Sequence, residues 1–416
     1  MSRPSIISDE ASHLPRWRRP ETLLIVMSAS VWFGLSLWMV LINNFAHEVA
    51  NFDGSDIGDL QSVREIPGFL AFLVVFVIRW VREQTLAIVS IALLGAATAV
   101  TSEFPSFWGL LITTYVGSMG FHYFETVNQS LQLQWLDKKV APRMLGKIVA
   151  AGSVGSLLAY GGVALGAQFF GLGFQFLYWA GGGLTVLAAI WCWLAYPHFE
   201  GRVPQRKTMV LRTRYWLYYA LVFMGGARRQ IFMVFAAFMM VEKYGMKIHD
   251  LAWLFVINYV ANMIFAPIVG RLIQGFGERL TLIVEYLGLI GVFALYTGVY
   301  IFDWPWQVAA ALYVVDHLFF AMAFAQKTYF QKIADPADQA PTAAVAFTIN
   351  HIAAVVLPTT LGILWVAAPQ AVFGLAVGMA FVSLGLAFLV PRHPEEGNET
   401  VLSARTRPVP QAQPGE

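Results

Sequence analysis

Charge is what this chain has least of. Asp, Glu, Lys and Arg make up 12% of its 416 residues, against about 25% in a soluble domain. So few charges cannot cover the surface of a water-soluble protein of this size, which excludes a soluble enzyme and a disordered chain. Cysteine is nearly absent too. Cys192 stands alone, so there is no intramolecular disulfide and no thiolate metal cluster. The net charge is only +2, which leaves no electrostatic footprint for nucleic acid. The first twenty residues hold Arg3, Arg16, Arg18 and Arg19 and no apolar core, so a cleaved signal peptide is not expected.

What the chain does have is apolar length. Fifty-eight per cent of residues are hydrophobic. A helix needs about 20 apolar residues to cross a bilayer, and twelve stretches qualify. Spans 1 to 6 are Glu21 to Phe45, Ile57 to Trp80, Thr85 to Ser102, Phe107 to Trp135, Met144 to Phe169 and Phe174 to Tyr196. Spans 7 to 12 are Tyr215 to Val241, Leu251 to Leu272, Thr281 to Phe302, Trp306 to Phe330, Pro341 to Ala367 and Gln370 to Val390. The predicted fold class is therefore all-α, a polytopic membrane protein with 12 transmembrane helices in two six-helix halves.

The predicted organisation is a cytoplasmic N-terminal tail (1–20), a six-helix bundle (21–196), a basic linker (197–214), a second bundle (215–390) and a disordered tail (391–416). Loop charge sets the orientation. Of the 27 Lys and Arg residues, 22 fall in the tails, the linker, and the loops and adjoining span ends on one side. Only Lys243 and Lys247 fall in loops on the other. With an even number of spans, both termini are expected in the cytoplasm, and the setting is expected to be a bacterial inner membrane.

The run Gly270-Arg-Leu-Ile-Gln-Gly-Phe-Gly-Glu-Arg279 lies between spans 8 and 9. Together with the six-plus-six layout, it resembles the major facilitator superfamily over roughly Glu21 to Val390. The run is similar to that family's cytoplasmic loop signature, with Gly270, Leu272, Gly277 and Arg279 in register. Gln274 stands where the family usually has Asp, and the equivalent first-half loop keeps only Arg79 and Arg82. The resemblance implies a transporter whose central pathway lies nearest helices 1, 4, 7 and 10, with Gly270, Gly277 and Arg279 as gating elements. The glycines of span 5, including Gly152, Gly155 and Gly162, are read as close helix packing.

Ionisable residues inside a span cost about 2.5–3.5 kcal/mol on insertion scales, so they mark where function sits. Arg228 and Arg229 lie mid-way along span 7, roughly 20 Å from either end at 1.5 Å per residue, too far to snorkel. Adjacent residues point about 100° apart. One arginine is therefore expected to face a cavity and bind an anionic substrate, and the other to pair with a neighbouring helix. Span 4 carries Thr114, Ser118, His122, Glu125, Gln129 and Gln132 every third or fourth residue. That is a single polar stripe, which must face water or other helices. Span 10 holds Asp316 and His317, and span 2 holds Arg64 and Glu65 before a predicted kink at Pro67-Gly68. Span 11 holds Asn350 and His351. Glu285 is expected near the cytoplasm, pairing with Arg271 or Arg279.

The expected substrate-binding residues are Arg228, Arg229, His122, Gln129, Arg64, Asn350 and Trp32. Glu125, Asp316 and His317 are the candidates for proton coupling. His122, His317 and His351 lie on three different helices, and no metal centre or cofactor is expected. The predicted function is a secondary transporter of a small hydrophilic organic anion or zwitterion, working as a monomer by alternating access with the proton as coupling ion. An exporter of lipophilic or neutral compounds is the alternative, and a non-transporting sensor or interaction protein the lesser one. No nucleophile–base pair or nucleotide-binding loop is present, so no enzyme is expected.

Overall fold

The computed structural model describes residues 5–136, 141–200, 211–335 and 338–403. The expectations placed on Arg3, Lys138, Lys139, Arg202, Arg206, Lys207, Arg405 and Arg407 lie outside them. Span 1 is Pro20–Glu48, with its proline in the first turn, where no backbone N–H is needed. Span 2 begins at Gly54–Phe69 behind an Asp53 and Asp56 capping box. After Pro67-Gly68 it breaks, continuing as a 3-10 turn at Ala71–Leu73 and a short helix at Val74–Val77. Spans 3 to 6 are Glu83–Val100, Phe107–Trp135, Ala141–Phe170 and Phe174–Ala195.

Span 7 is Trp216–Gln230, a π-helical turn at Ile231–Ala236, and Ala237–Glu242. Spans 8 and 9 run together through Ile248–Ile301 and are separated by Gly277, whose φ of 77° and ψ of 168° break the helix. That backbone conformation is open essentially to glycine alone, so the glycine of the loop run is the turn itself. Span 10 is Trp306–Met322 and Phe324–Ile333, span 11 is Gln339–Ala367, and span 12 is Pro369–Leu389. Among the described residues, ten stretches are long and apolar enough to span by themselves. Spans 2 and 4 are not among the ten, because one is broken and the other carries the polar stripe.

The first tail is not loose. Strand β1 (Ser5–Ile7) pairs in parallel with β2 (His198–Glu200), and the Arg18 Nε donates to the Ala195 carbonyl at 2.8 Å. The second tail also departs from expectation up to Ser403. The Val401 N–H donates to the Leu389 carbonyl at 2.9 Å, and Arg214 pairs with Glu396 at 3.0 Å. Glu399 and Thr400 are buried there. Proline and charge hide this docking from composition, because it is made by backbone hydrogen bonds and one ion pair.

The apolar core falls into two clusters. One joins both sets of six spans at the end away from the basic loops: Leu41, Phe45 and Leu60 lie in one cluster with Phe235, Phe238 and Trp365. The other is confined to the basic-loop end of the first six spans, around Leu23, Ile91, Phe124 and Ile148. Spans 2 and 11 meet at the joined end through glycine. A Cβ on Gly58 would stand 2.3 Å from the Pro358 carbonyl oxygen, and one on Gly362 would stand 2.6 Å from that of Gly54. Thr359 adds hydrogen bonds to Asp59 at 2.8 Å and Ser62 at 3.0 Å. Spans 5 and 8 are joined by Tyr259 to Ser156 at 3.1 Å and Trp253 to Gln168 at 2.7 Å. Hydrogen bonds between membrane helices average about 0.6 kcal/mol, so this closure is held mainly by packing.

Span 5 packs on span 1 through small residues, as its glycines imply. A Cβ on Gly155 would be 2.2 Å from the Ala29 carbonyl oxygen, and one on Gly152 would be 2.7 Å from Trp32. Gly161 and Gly162 meet nothing within 4 Å, so they take no part in that contact.

Candidate functional site

The two central arginines part company. Arg228 is 4% exposed and donates to Glu285 Oε1 at 2.9 Å, with its guanidinium 5.8 Å from the Tyr286 ring. Glu285 is fully buried. This corrects the expectation that Glu285 sits near the cytoplasm beside Arg271 or Arg279. Span 9 starts at the Gly277 turn, so Glu285 is already two turns inside and reaches the middle of span 7. Asp316 shares the field of Arg228 and Glu285, and its Oδ2 is buried without a hydrogen-bond partner. His317, one residue on, turns to the Phe232 ring, with centroids 5.8 Å apart.

Arg229 faces the junction of the two sets of spans. Its Nη2 donates to Asn350 Oδ1 on span 11 at 2.9 Å, and its Nε is buried with no hydrogen-bond partner. The approach of spans 7 and 11 is set by Gly226, whose Cβ position lies 2.7 Å from Asn350 Nδ2. Around Arg229 stand the charges of Arg64, Glu65 and Glu125. Arg64 Nε donates to Glu65 Oε1 at 3.0 Å. The Arg64 carbonyl accepts from Ser118 Oγ, and its guanidinium lies 5.9 Å from the Trp38 ring.

Span 4 carries the stripe from the joined end to the open one. Thr114, Ser118 and His122 are buried, Glu125 is half-buried and Gln129 is exposed. His122 meets His351, with ring centroids 5.2 Å apart, and the His351 ring lies tilted against Phe347 at 4.2 Å. Trp32 lies against Phe121 at 5.6 Å and packs on Gly152, so of the expected binding residues it has the plainest packing role.

The loop run lies apart from this centre. Gly270 sits in continuous helix with nothing within 4 Å of a Cβ, and Arg279 is half-buried. Sequence reading missed the carboxylate here. Glu278, next to Gly277, is 1% exposed and pairs with Lys332 at the end of span 10 at 2.8 Å. Burial of Glu278 depends on the turn at Gly277, which spacing does not reveal. A second network ties the linker to the start of span 11. Asp338 takes hydrogen bonds from Arg212 at 2.8 Å and Tyr215 at 3.1 Å, and the Arg212 guanidinium holds its carboxyl below the usual range.

The family model described as Major Facilitator Superfamily matches residues 22–358. The chain belongs to the Major Facilitator Superfamily. It is a multi-pass membrane transporter of that superfamily, not an enzyme. Comparison with curated proteins finds no match. Several solved structures share the fold. A point mutant of the nucleoside transporter NupG matches with a TM-score of 0.74 at 14% identity, over 89% of this chain and 99% of that one. The D-xylose-proton symporter matches at 0.69 and 13%, over 90% and 98%. A bacterial homolog of the human lysosomal transporter Spinster, inward-facing and occupied, matches at 0.68 and 14%, over 90% and 96%. At such identities the likeness is one of fold, and substrate has to be argued from the site.

Proposed function

We propose that this superfamily member is a secondary transporter that moves a small hydrophilic organic anion or zwitterion by alternating access, coupled to protons. One observation carries the reading. Arg229 lies mid-membrane at the junction of the halves and hydrogen-bonds the neutral Asn350, whereas Arg228 pairs with Glu285; the Nε of each is buried without a hydrogen-bond partner. A guanidinium with unspent donors in low dielectric is a strong receptor for a carboxylate or phosphate. The excess of basic residues in one set of loops supports cytoplasmic termini. The halves then join at the outer face, and the stripe from His122 to Gln129 opens inward. Arg64, His122, Gln129 and Asn350 line the path, and Glu125, half-buried beside Arg229, is the first proton carrier. Asp316, buried with Glu285 in the field of one arginine, is the second.

The named neighbours are consistent with this. Two are described as a nucleoside transporter and a sugar–proton symporter, which are carriers of small hydrophilic solutes. The closing motion is a rocking of one half on the other, with Gly277 and Arg279 at a hinge loop on the cytoplasmic side.

The test is a thermal-stability screen of the purified protein with organic acids, phosphorylated metabolites, amino acids and lipophilic cations, followed by flux under a pH gradient. A ligand at about 100 times its Kd adds about 2.7 kcal/mol. An anion that stabilises the wild type and not Arg229→Gln supports the reading. Stabilisation by lipophilic compounds only, equal in the mutant, replaces it with the exporter.

A further inference from the structure

We propose that Glu65, His122 and His351 form a binding site for a divalent transition-metal ion of the Zn2+, Co2+ or Ni2+ class. The proposal stands on the placement of these donors and does not depend on the anion reading.

All three side chains are more than nine-tenths buried: Glu65 is 5% exposed, His122 5% and His351 4%. They come from spans 2, 4 and 11, and one ligand atom of each lies within 4.8 Å of the others. The tautomer of His351 is set by its surroundings. Its Nδ1 lies 2.8 Å from the Phe347 carbonyl, which only accepts, so Nδ1 carries the proton and Nε2 keeps its lone pair. That Nε2 lies 3.5 Å from Glu65 Oε2. Two acceptors facing each other in a buried site repel unless a cation lies between them. A proton on Nε2 would satisfy that pair. It would not satisfy the third donor, because His122 Nδ1 is buried with no hydrogen-bond partner. A metal ion satisfies all three.

The surroundings fit this chemistry. Arg64 occupies Glu65 Oε1 at 3.0 Å and so leaves Oε2 for the histidines. The Phe347 carbonyl on His351 is the outer partner that metal-bound histidines ordinarily have. Gly68 leaves the space in which the rings meet, since a Cβ there would stand 2.4 Å from His351 and 2.7 Å from His122. Bonds of about 2.0–2.1 Å in a tetrahedron put ligand atoms about 3.3 Å apart. The Glu65–His351 pair, at 3.5 Å, is already close to that spacing, and the three ligand atoms all lie within 4.8 Å of one another. Two imidazoles and a carboxylate select Zn2+, Co2+ or Ni2+ over Mg2+ and Ca2+, which take oxygen ligands. Three protein ligands leave a fourth position open.

Arg64 and Arg229 both act on Glu65, and their charge opposes a cation. The site is therefore weaker than a structural zinc centre, and removing Arg229 tightens it. Glu65 and His122 belong to the first six spans and His351 to the last six, so a bound ion ties the halves together in the joined state.

The experiment is a Co2+ titration of the purified full-length protein in detergent, read by visible d–d absorption, with Zn2+ as competitor. The expected result is one saturable band, displaced by Zn2+, absent in H122A and H351A, and weakened at least about tenfold in E65Q. H317A keeps the band, and R229Q strengthens it. No saturable band in the wild type overturns the proposal, as does a band that survives H351A or is lost in H317A. R229Q keeps two failures apart: loss of the anion response with the Co2+ band retained is expected. A missing band with an intact anion response sinks the metal site alone.

Discussion

Arg228 and Arg229 are neighbours in sequence and opposites in place. Arg228 points to span 9, where Glu285 answers it at 2.9 Å and no exposed surface remains. Arg229 points to span 11, where the answer is the neutral amide of Asn350. The first meets an ion partner within the last six spans, with Asp316 in the field of the pair. The second meets a neutral amide at the seam between halves, with the charges of Arg64, Glu65 and Glu125 around it. A buried pair contributes little net stability over an apolar one, yet breaking it is severe because one ion is stranded. The difference teaches that depth in the membrane does not tell two buried arginines apart; the partner each one meets does.

The largest effect expected on this contrast is from Arg228→Gln. It strands Glu285 and lowers stability by about 3–5 kcal/mol, seen as a large fall in the denaturation midpoint. Glu285→Gln in the same chain recovers part of the loss. Arg229→Gln should instead leave the midpoint near wild type and weaken anion binding by about 2–5 kcal/mol, measured by ligand-induced thermal shift. If the two variants exchanged phenotypes, the assignment of roles would be reversed.

Gly277→Ala forces a side chain into a conformation costing about 1–3 kcal/mol. It disturbs the start of span 9, hence the Arg228 side and not the Arg229 side, and the midpoint reports it. Asn350→Ala removes one hydrogen bond to Arg229, worth about 1.5–3 kcal/mol for a charged donor at most, and should shift anion affinity in the same direction as Arg229→Gln but less. The smallest effect is at the start of span 11. The Asp338 carboxyl is held below its usual range by Arg212. A depressed folded value means its contribution is present above about pH 4 and lost as pH falls through the folded value. Asp338→Asn should flatten the acid limb of the midpoint against pH.

Much of the fold was legible. The twelve spans follow from apolar length, and every one has its helix in the structure. The kink in span 2 was legible from Pro67-Gly68. The site was half legible. The cost of burying charge singled out Arg228, Arg229, His122 and Asp316 before any packing was known. Residue spacing also showed that one arginine must point away from the other, though not which. Glu285 was misplaced because its depth depends on where span 9 begins, and Glu278 was overlooked for the same reason. The docked stretch 391–403 escaped notice because backbone hydrogen bonds have no compositional mark.

By itself the sequence determined that this protein lives in a bilayer, how many times it crosses, and which residues are too costly to be idle. Hydrophobic length and the desolvation of charge are local properties, so they can be read one residue at a time. Only the tertiary structure decided who meets whom. Glu65, His122 and His351 are separated by 57 and 229 residues of chain, and their convergence rests on spans 2, 4 and 11 packing through Gly58, Gly68 and Gly362. Close approach of helices is a property of pairs of surfaces, and no single stretch of sequence contains it.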